Sequence, residues 1–129
     1  MNGLNALNEE KMLLVRQYIG LLDTIEEAFG HIFLCLKKLR LEDADHLWDD
    51  ISLAFGQIQL SNQVLAEHFA DLPAVLIQFT SFDDVWKKAQ LLHHSDYGIW
   101  EEVIGESIYP AFSEWSREIN KQFRPYYIN

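Results

Sequence analysis

The chain has 129 residues, 49 % of them hydrophobic and 13 % aromatic, which is the length of one domain and more apolar material than a disordered chain can hide, so a single domain spanning residues 1–129 is expected. Ten Lys and Arg against twenty Asp and Glu give a formal charge of −10, and such a surface repels phosphate backbones and anionic lipid. Nucleic acid and membrane are therefore excluded as expected partners, and because residues 1–60 and 61–129 each hold ten acids and five bases, there is neither an acidic tail nor a separate basic module.

The opening stretch, "MNGLNALNEEKMLLVRQY", lacks the basic start and continuous apolar run of a secretory signal. No apolar run approaches the roughly 18 uncharged residues that a membrane span requires. With Cys35 as the single cysteine, no intramolecular disulfide can form, which suits a reducing cytoplasm. A soluble, cytoplasmic protein is the expectation.

From Asn8 to about Leu39, the residues Val15, Ile19, Leu22, Ile25, Phe29, Ile32, Leu36 and Leu39 recur in steps of three and four, the spacing of one helix face. Gly20 and Gly30 interrupt this helix, and tight packing against a neighbour is the expected reason for them. Cys35, between Leu34 and Leu36, reads as a small hydrophobe of the core. After a break near "RLED", a second stripe runs through Leu47, Ile51, Ala54, Phe55, Ile58, Leu65 and Phe69. Glu42, Asp43 and Asp45 fall in its first turn, where carboxylates meet the free N–H groups, and Asp43 or its neighbour is the expected cap.

In "ADLPAVLIQFTSFDDVWKKAQLLHH", Pro73 suits the first position of a helix, while Ser81 with Asp84 three residues on resembles a capping box. The expected result is a short helical turn followed by a helix from about Phe82 to His93; a buried extended run at "AVLIQF" stays open as the alternative. The last helix starts near "SDYG" and carries Trp100, Ile104, Ile108, Ala111, Trp115, Ile119 and Phe123 on one side. Pro110 lies in its middle and predicts a kink near Glu106, because the stripe keeps its phase across the proline. Arg124-Pro125 is expected to end the element. Together these elements predict an all-α fold: an up-down-up-down four-helix bundle with the third helix short or broken and the last kinked at Pro110.

The sequence gives no basis for a cofactor or a metal. No Glu-x-x-His pair is present, the nearest match being Asp43-x-x-His46, and His31, His46, His68, His93 and His94 show no His-x3-His spacing. No G-x-S-x-G, phosphate-cradling glycine loop or G-x-G-x-x-G occurs. Arg40 and His46 stand at the Arg-x5-His spacing seen in some bacterial helical ribonucleases, but Asp43, Asp45, Asp49 and Asp50 crowd the same turns and would repel an RNA phosphate. No catalytic residue is assigned, and the expectation is a protein that is not an enzyme.

What remains is a surplus of aromatics in the C-terminal third. Tyr97, Trp100, Tyr109, Tyr126 and Tyr127, with His93 and His94 nearby, either fill the core or form a partner-binding surface. The stretches "QYIGLLDTIEEAF", "LWDDISLAF", "PAFSEW" and "RPYY" resemble small acidic all-helical proteins of unknown function from Bacillus-type bacteria over most of the chain. That resemblance implies no activity and no catalytic residues. In size and helix layout the chain is also similar to bacterial flagellar export chaperones. The expected function is a regulator, adaptor or chaperone-like module that binds an unidentified protein or a second copy of itself. A ribonuclease using Arg40 and His46, and an acidic mimic of nucleic acid, are the alternatives.

Overall fold

The computed structural model describes residues 2–92 and 96–127, so His93 and His94 lie outside the described residues. Four helices account for nearly all of the described chain. They are α1 (Asn2–Lys37), α2 (Leu41–His68), α3 (Pro73–Ala89) and a last helix, here α4, made of three joined segments: Trp100–Val103, a π turn at Ile104–Ile108, and Tyr109–Tyr127. A single 3-10 turn, Tyr97–Ile99, leads into α4. No strand occurs among the described residues, and "AVLIQF" is helical.

Side-chain pairings fix the topology. Tyr18 of α1 meets Asn62 of α2, Gln59 of α2 meets Asp83 of α3, and the Trp115 indole N–H of α4 donates to the Gln78 carbonyl of α3 at 2.7 Å. Along the α2–α4 diagonal, Trp48 faces Trp100, Phe55 faces Phe112 and Phe69 faces Phe123, so these two helices run the same way. Neighbours in sequence are antiparallel neighbours in space, as short connections require. The molecule is an up-down-up-down four-helix bundle.

The buried residues of α1 (Val15, Tyr18, Leu22, Ile25, Phe29, Ile32 and Leu36) alternate steps of three and four without a miss, and Tyr18 takes the core position where Ile19 was expected. Leu39 does not continue the stripe. It is 79 % exposed at φ +59°, and its N–H and that of Arg40 turn back to the Leu36 and Cys35 carbonyls, closing α1 in a Schellman arrangement with leucine at the left-handed site. The same turn sets the start of α2. Ala44 N–H already bonds to Arg40 O, so the helix begins at Leu41 and Arg40, not Asp43, holds the N-cap position. Glu42 and Asp43 still lie in the first turn, and the Arg40 guanidinium reaches Asp43 at 2.5 Å.

The expected break in α3 does not occur. Pro73 sits at the start of a continuous 17-residue helix, the shortest of the four, whose buried residues Val75, Phe79, Phe82, Val85 and Ala89 pass straight through Ser81. Rather than capping a new helix, the Ser81 hydroxyl donates back to the Ile77 carbonyl at 2.9 Å, an in-helix alternative always open to serine. The helix stops at Ala89, short of His93.

In α4 the irregularity falls where Pro110 places it. Proline offers no N–H to the Glu106 carbonyl and crowds it, and the chain widens into a π turn in which Tyr109 N–H bonds to Ile104 O. Buried Trp100, Ile104, Ile108 and Phe112 are separated by three successive steps of four, each overshooting an α-helical turn by about 40°. The wider turn takes up that drift. Pro125 does not end the helix, which runs on to Tyr127 because only its last turn lies beyond and Tyr126 is held edge-on against Phe69 at 5.1 Å.

Gly20 and Gly30 are exposed and a Cβ at either would meet nothing within 4 Å, so close packing is not their role. Cys35 is half-buried, at the rim of the core. The eight phenylalanines explain most of the aromatic surplus. All but Phe33 are buried, and they form one connected set of ring contacts with Trp115, Trp86, Tyr18 and Tyr109.

Candidate interaction surface

The five C-terminal aromatics do not form one face. Trp100 is 0 % exposed, wedged between Trp48 and Tyr97. Tyr97 is half-buried and donates its hydroxyl to Asp45 at 3.1 Å; burial, then the Asp45 and Asp49 carboxylates, push its phenol above the usual range. Tyr109 packs on Phe29 and Phe33 and donates to Glu26, and that bond, with burial, raises it too. Tyr126 and Tyr127 lie at the far end of α4, roughly 40 Å of helix from Trp100, against Phe69 and Asn120 respectively. Residues that share the C-terminal third of the sequence are thus spread along a helix axis.

Arg40 and His46 do come together. With His31, Cys35, Asp43 and Asp50 they line a shallow depression of about 410 Å³ at the α1–α2 turn. Arg40, the group that would hold a phosphate, is paired to Asp43, and Asp50 adds a second carboxylate to the wall. Among the described residues, no group of three or more His, Cys, Asp or Glu is arranged to hold a metal ion, and no helix is long and apolar enough to cross a membrane.

A different surface stands out on the α1–α2 side. A groove of about 560 Å³ runs between Leu14, Gln17 and Leu21 of α1 and Gln57, Leu60 and Val64 of α2, with no charged side chain in its wall among the described residues. Leu53, Leu60 and Val64 project beside it at 68, 65 and 51 % exposure. Residues 51–66, "ISLAFGQIQLSNQVLA", contain no charged residue at all, in a chain where 23 % of residues are charged. Polar positions on a solvated helix ordinarily include Glu, Lys or Arg. Here they are Gln and Ser.

Beneath the groove lies a polar contact that ties α1 to α2. The Tyr18 hydroxyl, part of the groove floor, donates to Asn62 Oδ1 at 2.6 Å, both residues being buried. Asn62 Nδ2 has no hydrogen-bond partner among the described residues. Burial raises the Tyr18 phenol well above its ordinary range. Sequence reasoning passed over this surface by following aromatic residues; the missing charge in residues 51–66 was the signal that marks it.

No curated protein and no solved structure matches the chain. A family model does, over residues 13–118, which takes in α1 from Leu13, α2, α3 and α4 as far as Glu118. The groove and the Tyr18–Asn62 contact therefore fall inside the matched region, and the chain belongs to the family described as Domain of unknown function (DUF8042).

Proposed function

We propose that the protein is a non-catalytic interaction module, working as a regulator, adaptor or chaperone-like protein through its α1–α2 face. The observation that carries this reading is the uncharged groove with Leu53, Leu60 and Val64 exposed beside it on a chain of charge −10. Apolar area contributes about 25 cal/mol per Å² when covered, so a partner that covers these side chains gains affinity without desolvating a charged group in the groove wall. A photo-crosslinking amino acid at position 60, with a control at the exposed Ile77 of α3, tests it. Protein adducts formed in source-cell lysate at position 60 and not at position 77 support the reading. Their absence at position 60 rejects it.

One observation favours a second reading, a ribonuclease: Arg40, His46 and His31 share one depression. The Arg40–Asp43 pair weighs against it. RNA cleavage by the purified chain that disappears in both Arg40→Ala and His46→Ala would establish it. The acidic-mimic reading gains nothing from an uncharged groove, and protein binding that persists in high salt would remove it.

A further inference from the structure

We infer that the α1–α2 face is covered by a second copy of the same chain, related by a twofold axis; this rests on the interaction-module reading and names its partner. Three features of the face favour its own copy. The first is chemical. The polar groups lining the groove are Gln17, Gln57 and Ser61, each carrying both donor and acceptor, so any of them can bond to whichever of the others a twofold axis brings opposite it. A face of carboxylates or ammoniums could not meet itself in that way, and a face shaped for a charged partner carries complementary charge.

The second is electrostatic. Two chains of charge −10 repel wherever acidic surfaces approach, and contact is least opposed where a long stretch of exposed helix bears no charge, which is the 51–66 run of α2. The third is shape. Leu53, Gln57, Leu60 and Val64 follow steps of four, three and four, and the exposed Leu13, Gln17, Gly20 and Thr24 of α1 repeat the same steps, so the face is two antiparallel rows at coiled-coil spacing. The leucine row of one copy is the projection, the groove of the other the recess, and a twofold axis uses both twice.

The size of the face sets the expected strength. About 24 Å of helix, two helices or roughly 20 Å wide, gives about 500 Å² per copy and about 1,000 Å² for the pair, the lower edge of a specific interface. The dimer is therefore concentration-dependent, with dissociation in the micromolar range, and it tightens as salt screens the like charges.

Sedimentation equilibrium of the purified chain from about 1 to 500 µM, at low and high salt, reads this directly. The expected result is a monomer–dimer equilibrium that Leu60→Glu and Val64→Glu each weaken by more than about 100-fold, while Ile77→Glu leaves it unchanged. Circular dichroism and melting of each variant, measured at a concentration where wild type is monomeric, separate loss of association from loss of fold. A chain that stays monomeric at the highest concentration, or a dimer indifferent to Leu60→Glu, overturns the inference. In the crosslinking experiment above, adducts from position 60 at twice the chain mass support a second copy. Adducts to a different protein, with no dimer by sedimentation, overturn the second copy and leave the interaction-module reading standing.

Discussion

Replacing Tyr18 by phenylalanine isolates the polar contact under the groove. The ring keeps its edge-on contacts with Phe79, Trp115 and Phe123, at centroid distances of 6.2, 6.4 and 5.6 Å, so packing is preserved and only the hydroxyl is lost. Asn62 Oδ1 then loses the 2.6 Å bond it accepts, in a residue whose Nδ2 is already unpartnered, and the whole amide is left buried and unpaired. A buried polar group stripped of its partner costs about 1–3 kcal/mol, so Tyr18→Phe is expected to destabilise by that amount and to lower Tm by about 3–4 °C per kcal/mol in a chain of this size. Asn62→Leu alone orphans the tyrosine hydroxyl but removes the unpaired Nδ2, and these effects offset. The double variant Tyr18→Phe/Asn62→Leu has neither orphan and is expected to be at least as stable as wild type. Urea unfolding followed by circular dichroism measures all four corners of the cycle. A Tyr18→Phe variant within about 0.5 kcal/mol of wild type, or a double variant weaker than both singles, would refute the reasoning.

Raising the pH tests the same burial independently. Because the Tyr18 phenol ionises higher in the folded chain than the usual 10.0, its stabilising effect is complete below pH 10 and declines as pH rises toward the folded value, at up to about 1.4 kcal/mol per pH unit; alkaline unfolding curves of wild type and Tyr18→Phe should converge as pH rises above 10. Leu39→Gly should stabilise by about 1 kcal/mol in chemical denaturation, since leucine at φ +59° is strained and its 79 % exposed side chain has little burial to lose. Gly30→Ala should also add up to about 1 kcal/mol, because the site is a solvent-facing helix position with nothing within 4 Å of the new methyl, and a lowered melting point would show that the helix requires the glycine. Phe55→Asp places a carboxylate at a fully buried site touching Phe29, Phe82 and Phe112, a cost of several kcal/mol in a domain stable by about 5–15, and loss of the helical circular dichroism signal is the expected reading.

Much of the fold was legible in local pattern. The stripes of α1, α2 and α4 follow helical steps that any reader can count, and Pro110 located the irregularity of α4 at Glu106 because a missing N–H acts on the residue four before it. The π form of that irregularity was not legible, because a stripe through Ala111 keeps ordinary helical steps and only the burial of Phe112 makes three successive steps of four from Trp100. Ser81 and Pro125 misled for one reason. Both are boundary signals whose local preference is worth about 1–3 kcal/mol, and both stand where tertiary packing, of Phe79 and Phe82 in one case and Tyr126 on Phe69 in the other, outweighs it. The candidate surface was harder to see, since it is defined by what is missing from residues 51–66 and not by any reactive group that is present.

The sequence by itself determined four amphipathic helices and their order, because a 3.6-residue period is a property of each segment alone. Only the tertiary structure decided which apolar residues the bundle covers. Leu60 and Leu65 lie little more than a turn apart on one helix, yet one is 65 % exposed and the other 2 %. Likewise Trp100 became core, and Tyr18 found Asn62 across 44 residues of chain. Burial belongs to a side chain and the surfaces brought against it together, and those surfaces exist only once all four helices have settled into register.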